Sequence, residues 1–207
     1  MSSAGGFRSI GRCGDSRPLR RGASPSSLIP DGPDFLANEF VAVDFETANR
    51  KGGVSACQIA LVKVEEGRIV DRAATLIKPP PGWDRFEFTY LHGIGPAHVR
   101  EAPMWSQIAP RIAEFVGDAP VWAHNSSFDS RVWADLDGHF GTRTHPSRFY
   151  CSYRTARRIL PGLENYKLPT VTRACAPEFR LDHHRADSDA EACALIVAAL
   201  QRMTAAR

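Results

Sequence analysis

The sequence predicts an α/β domain: a mixed five-stranded sheet, three strands antiparallel and then two parallel, flanked by helices. Three observations carry this. Strand-like runs crowd between residues 39 and 78 with only short turns between them, as in an antiparallel meander. From residue 104 onward apolar residues recur at helical spacing. Two short apolar runs, at 119–125 and 148–151, sit between helical segments, which calls for crossover connections and parallel pairing.

The elements follow in order. EFVAVDF, from Glu39, alternates and is β-branched, so it reads as a strand ending near Asp44. ACQIALVKV (56–64) is a second strand, EEG (65–67) a hairpin turn and RIVDRAATLIK (68–78) a third strand. PPPG (79–82) then stops the sheet, because proline cannot donate to the ladder. Met104, Ile108, Ile112 and Phe115 mark a helix with Pro103 near its start and Gly117 at its end. APVWAHN (119–125) reads as a short buried strand. SSFDSRVWADLDGHF (126–140) reads as a helix with Phe128, Val132, Trp133 and Leu136 on one face. RFYC (148–151) is the last strand. YRTARRIL (153–160) and LPTVTRACA (168–176) are helical, and 186–204 form a final helix with Ala190, Cys193, Ala194 and Val197 inward.

Residues 1–38 are rich in Ser, Gly, Pro and Arg and lack apolar periodicity, which predicts a disordered N-terminal extension, dispensable for chemistry, ahead of a domain over 39–207. An organelle transit peptide and an over-extended reading frame share that composition. The chain has 207 residues, enough to bury a real core. No stretch approaches the ~18 apolar residues of a membrane span, so it reads as soluble. Net charge is +3: residues 1–38 hold five Arg against three Asp, and the remainder 21 basic against 20 acidic residues. From Arg143 to Arg185, however, nine basic residues face three acidic ones, a region either attractive to a phosphate backbone or simply solvated. Cys13, Cys57, Cys151, Cys175 and Cys193 are odd in number and form no Cys-x-x-Cys pair. That suits a reducing, cytoplasmic setting and argues against a zinc site. Cys57 and Cys193 lie in apolar surroundings and are expected in the core.

Asp44 and Glu46 stand at i and i+2 on the end of the first strand, so their side chains share a face. Two carboxylates on one face repel unless a cation lies between them. In AHNSSFD (123–129) a buried strand ends and Asp129 opens a helix; in LDHHRADSD (181–189) Asp189 lies in the first turn of the last helix, five residues after His184. Asp-x-Glu alone is common on solvated strands, and an acid at a helix start alone fits an ordinary capping role. Together they place four carboxylates at strand–helix junctions, where α/β sheets collect functional groups. Oxygen-only ligands suit Mg²⁺ or Mn²⁺.

DFET (44–47), HNSSFD (124–129) and HRADSD (184–189) resemble, in order and spacing, the three motifs of the DEDDh 3′–5′ exonucleases, the family of the DNA polymerase III epsilon (DnaQ-like) subunit, ribonuclease T and oligoribonuclease. LHGIG (91–95) is similar to that family's HGI segment, and the resemblance covers about residues 39–204. It implies a ribonuclease H-like fold and a metal-dependent exonuclease that releases 5′-mononucleotides from the 3′ end of single-stranded or frayed DNA. Asp44, Glu46, Asp129 and Asp189 would hold two ions, Mg²⁺ or Mn²⁺, and His184 would be the general base. His183, one position off the motif, is expected to be a surface or loop histidine, and Asp187 a surface or capping acid. Phe45 and Thr47 would line the terminal nucleotide's site, Leu91, His92 and Ile94 would cover its base or sugar, and Asn125 and Phe128 would support the second motif. Trp83, Phe86, Phe88 and Tyr90 either stack bases or pack in the core. The implied partners are nucleic acid with single-stranded 3′ ends and a DNA polymerase or other replication or repair protein. Two further readings share these motifs: an RNA or short-oligonucleotide exonuclease, separable only through contacts to the 2′-OH, and a nucleic-acid-binding, polymerase-associated module with little activity.

Overall fold

The structure, a computed structural model, describes residues 28–206. Its elements are α1 (Gly32–Phe35), β1 (Glu39–Thr47), β2 (Ala56–Glu65), β3 (Arg68–Leu76), α2 (Thr89–His92), α3 (Trp105–Val116), β4 (Val121–Ala123), α4 (Ser127–Phe140), β5 (Phe149–Cys151), α5 (Ser152–Ile159), α6 (Leu168–Cys175) and α7 (Ala186–Ala205). The strands form one sheet in the order β3-β2-β1-β4-β5. β1 pairs antiparallel with β2, β2 antiparallel with β3, and the β1–β4 and β4–β5 pairs are parallel. This is the mixed sheet that the sequence predicts. The β2–β3 turn puts Glu66 and Gly67 at φ 49° and 73°, the two-residue left-handed geometry that matches strand twist.

β1 sits in the middle of the sheet and is covered on both faces. Val41, Val43 and Phe45 pack with Trp105, Ile108, Ile112 and Trp133 of α3 and α4. Phe40 and Ala42 pack with residues of α6 and α7, including Val171, Ala190 and Ile196. The period of two therefore carries Asp44 and Glu46 onto the α7 face, toward the start of that helix. Phe45 lies on the other face, its ring 5.7 Å from that of Trp133 and edge-on to it. The backbone at Gly53 runs so close to α4 that a Cβ there would lie 2.5 Å from Val132 Cα, and Gly53 N donates to Asp135 Oδ2 at 3.0 Å. That close approach clamps α4, and with it Asp129, against the end of β1. Cys57 and Cys193 are buried as expected.

The structure differs from the sequence reading in three places. β3 ends at Leu76 and β4 is cut to Val121–Ala123, because the flanking residues leave the ladder for loops. The four-residue helix α2 was not foreseen, being too short to show a period. The expectation of disorder over 1–38 falls outside the described residues for 1–27, and it needs correction for 28–38. There Phe35 is buried and packs against Trp122 with ring centroids 6.2 Å apart. Asp34 pairs with Arg148 at 2.9 Å and accepts from Tyr150 Oη, and Gln201 donates to the Phe35 carbonyl at 2.7 Å. A single buried phenylalanine outside any long element gives no periodic signal.

The folded unit thus starts before Glu39. A chain begun at residue 39 loses the Phe35 contact and should be about 3 kcal/mol less stable than one begun at residue 28, on the order of 10 °C in Tm for this size. Thermal melting of the two chains checks this, and coincident melting curves would contradict it.

Candidate active site

The carboxylates that β1 carries to the α7 face meet two others. Asp44, Glu46 and Asp189 bring carboxylate oxygens within 4.8 Å of one another. Asp129, from the first turn of α4, is buried behind them, and its Oδ1 accepts the Phe45 N–H at 3.1 Å. Glu46, Asp129 and Asp189 are 8%, 2% and 4% exposed. Among the described residues, no lysine or arginine pairs with any of the four. Burial, then the charges of Asp129, Asp189 and Glu46, push the Asp44 carboxyl well above the usual range. Burial and the charges of Asp189 and Asp129 push Glu46 up to about 8. Burial likewise raises Asp129 and Asp189. Four carboxylates that resist ionising together form a hard, all-oxygen donor set, and that set fits divalent cations.

The two histidines arrive on the loop before α7. His184 N donates to Asp189 Oδ2 at 3.1 Å, and His184 adopts φ 71°, a strained conformation for a non-glycine residue of the kind that gathers at functional sites. Asn125, at φ 69°, is a second such residue on the same cleft. The His183 and His184 rings stack with centroids 3.9 Å apart. His183 is exposed in its loop, as expected, but it also reaches the cluster: its Nδ1 lies 3.0 Å from Asp189 Oδ2 and donates to that carboxylate whenever the acid is ionised. Burial and the neighbouring His183 push the His184 pKa down. Asp187 is exposed and pairs with Arg185, as expected of a surface acid.

An open cleft of about 680 Å³ runs over Asp44, Glu46 and Asp189. Of the residues expected to touch substrate, Thr47, Leu91, Asn125 and Phe128 line it, Leu91 and Phe128 with exposed side chains. Phe45 reaches it only through its backbone, since its ring is buried against Trp105 and Trp133. His92 and Ile94 do not line it. His92 Nε2 donates to the Thr47 carbonyl at 3.1 Å while its Nδ1 accepts the Ile94 N–H, and Ile94 packs with Ala48, Cys57 and Val99. The pair braces the wall from behind. Phe88 lines the cleft and Tyr90 is 81% exposed. Phe86 packs with the Ile94 cluster, and Trp83 packs against Lys51 and His139.

Sequence reasoning missed His124, Tyr153 and Lys167, which also line the cleft. His124 Nε2 donates to the Tyr166 carbonyl at 2.9 Å and Nδ1 meets Ser152 Oγ at 2.9 Å. Burial pushes its pKa down to about 4, so it is neutral and fixes the segment that leads to Lys167. His124 stands inside the HNSSFD motif, and for Lys167 the available signal was the excess of basic residues between 143 and 185.

Among the described residues, no helix is long and apolar enough to cross a membrane. A model of the Exonuclease family (RNase T type) matches residues 41–197. The chain is 31% identical over 183 residues to the PolC-type DNA polymerase III of Caldanaerobacter subterraneus subsp. tengcongensis, covering 88% of this chain and 12% of that protein. It is 30% identical over 149 residues to exodeoxyribonuclease 10 of Escherichia coli K12, covering 70% of this chain and 60% of that one. It thus spans only a part of these relatives. Exonuclease X, solved with 5′-overhanging duplex DNA, superposes with a TM-score of 0.60 at 26% identity, covering 81% of this chain and 92% of its own. The nuclease domain of 3′hExo, a DEDDh family member, superposes with a TM-score of 0.68 at 14% identity and shares the ribonuclease H-like fold, covering 82% of this chain and 92% of its own. The family match runs from the strand bearing Asp44 and Glu46 to the helix bearing Asp189, and the chain belongs to the DEDDh (DnaQ-like) 3′–5′ exonuclease family.

Proposed function

We propose that this chain hydrolyses the terminal phosphodiester at the 3′ end of single-stranded or frayed DNA and releases 5′-mononucleotides. The observation that carries the reading is the convergence of Asp44, Glu46, Asp189 and two histidines on one open cleft, with the buried Asp129 close enough to raise the Asp44 and Glu46 carboxyls. The family is divalent-metal dependent. Mg²⁺ or Mn²⁺, as two ions held by Asp44, Glu46, Asp129 and Asp189, would supply Lewis-acid activation of water and stabilise the leaving 3′-oxygen.

The chain's own residues do the rest. His184 accepts the proton of the attacking water; its lowered pKa keeps the ring neutral, and therefore basic, near pH 7. His183 orients the Asp189 carboxylate through Nδ1. The exposed faces of Leu91 and Phe128 take the terminal sugar and base, with Thr47 and Asn125 beside them. As the new P–O bond forms, the P–O3′ bond breaks, and the shortened strand leaves with a 3′-hydroxyl. DNA is favoured because the relatives above include an exodeoxyribonuclease and an exonuclease solved on DNA. Similarity to a segment of PolC-type polymerases supports work beside a DNA polymerase or another replication or repair protein.

On oligonucleotides labelled at either end, products should be 5′-mononucleotides taken from the 3′ end, lost in EDTA and restored by Mg²⁺ or Mn²⁺. Undiminished cleavage in EDTA, or attack from the 5′ end, would sink the reading.

The acids and histidines should fail differently. Asp189→Asn should lower both Mn²⁺ affinity and rate, because it removes a charge from the carboxylate cluster. His184→Ala should leave Mn²⁺ affinity near wild type and cut the rate by about 10²–10⁴-fold, with partial recovery at higher pH, where hydroxide needs no base. His183→Ala should cost much less rate and act through Mn²⁺ affinity. A larger, pH-rescued loss in His183→Ala would assign the base to the wrong neighbour.

A further inference from the structure

The floor of the cleft is anionic and so is its proposed substrate, so cations must hold the strand elsewhere. Among the described residues, Lys167 is the only lysine or arginine lining the cleft. Arg157 packs on the residue before Lys167 in sequence: its guanidinium carbon lies 5.9 Å from the Tyr166 ring centroid and 5.8 Å from that of Tyr153, which itself lines the cleft. Both cations are exposed, and among the described residues neither side chain has a carboxylate or hydrogen-bond partner. A guanidinium held near two aromatic rings loses orientational freedom, and with no carboxylate beside it its N–H donors remain available for phosphate oxygens. The support is braced: Tyr153 and Tyr166 meet edge-on at 6.3 Å, and the half-buried His124 holds the Tyr166 carbonyl immediately before Lys167.

We propose that Lys167 and Arg157 form a two-step phosphate track that holds the backbone of the strand upstream of its 3′-terminal nucleotide, Lys167 nearer the carboxylates and Arg157 further out. The assignment rests on the proposed reading of the cleft as the seat of a 3′ end. It gives the excess of basic residues after position 143 a local meaning: Lys167 lines the cleft, and Arg157 lies against Tyr153, which also lines it. Tyr153 and Tyr166 act as positioning residues for Arg157.

The test uses the full chain, a fluorescent oligothymidylate with phosphorothioates at its 3′-terminal linkages so that it is bound and not shortened, and Ca²⁺. Binding is followed by anisotropy across a salt series for wild type, Lys167→Gln, Arg157→Gln, the double variant and Arg111→Gln, a control on the exposed face of α3. Each track substitution should weaken binding roughly tenfold, as for loss of a charge-assisted hydrogen bond. Each should also reduce the slope of log affinity against log salt by about 0.7, and the double variant by about 1.4. Arg111→Gln should match wild type, and all variants should melt with wild type. Arg157→Lys, which keeps the charge but not the fork, should retain the slope and recover only part of the affinity. Unchanged slopes in the Lys167 and Arg157 variants would overturn the track even if the enzyme degrades DNA. Reduced slopes in a protein that hydrolyses no 3′ end in Mg²⁺ or Mn²⁺ would uphold the track and reject the exonuclease reading. On the p-nitrophenyl ester of thymidine 5′-phosphate, which has no upstream strand, Arg157→Gln should keep the wild-type rate; an equal loss there would show that Arg157 only holds the fold.

Discussion

Mutual repulsion among Asp44, Glu46, Asp129 and Asp189 is the constraint on which the rest of this structure depends. Left to themselves, like charges in a shielded site separate or stay protonated. Here they cannot separate. Asp44 and Glu46 are fixed by a central strand paired on both sides and buried on both faces. Asp129 is held by the Phe45 N–H and by a helix that packs directly on Gly53. Asp189 is held by His183 and by the backbone of His184. Each fixing contact is local, yet together they leave protonation or cations as the available relief, and the raised carboxyl pKa values express that.

The same constraint divides the labour around the cleft. Groups that stand close to the carboxylates are neutral or positively polarised: the backbone amides of Phe45 and His184, the ring of His183 and the neutral His184. Full cations sit at the rim, where Lys167 can meet a phosphate without quenching the acids that a metal requires. Apolar surface is contributed separately by Leu91 and Phe128, which can meet sugar and base without competing for either charge.

The central part of this arrangement was legible in the sequence because it rests on short-range rules. Asp44 and Glu46 share a face by the period of two, and the long α7 fixes where Asp189 stands. What escaped depends on tertiary placement. α2 is a single turn that exists because the chain must cross the end of β1, so Leu91 faces the cleft while His92 and Ile94, one and three residues on, brace its back. His183 and His184 could not be ranked from spacing, because the left-handed backbone at His184 turns both rings toward Asp189. Lys167 was one of nine basic residues until the fold brought its segment against His124. Residues 28–38 carry no sequence signal of order because a lone Phe35 makes no pattern, though it packs beside Trp122.

The central claim is that carboxylate repulsion, relieved by cations, governs this site, and metal-free thermal melting tests it most directly. Glu46 is protonated in the folded chain up to about pH 8 and releases its proton near pH 4.3, roughly, once unfolded. At this group the folded state binds more protons than the unfolded one across that window, so the Glu46 contribution to metal-free stability falls as pH rises from about 4 to about 8. Glu46→Gln removes the charge while keeping the shape. The account predicts that in EDTA at pH 8 this variant melts above wild type, and that Mn²⁺ raises the Tm of wild type more at pH 8 than at pH 6 while moving that of the variant much less. A Glu46→Gln chain that melts below wild type in EDTA at pH 8, with an undiminished response to Mn²⁺, would contradict it.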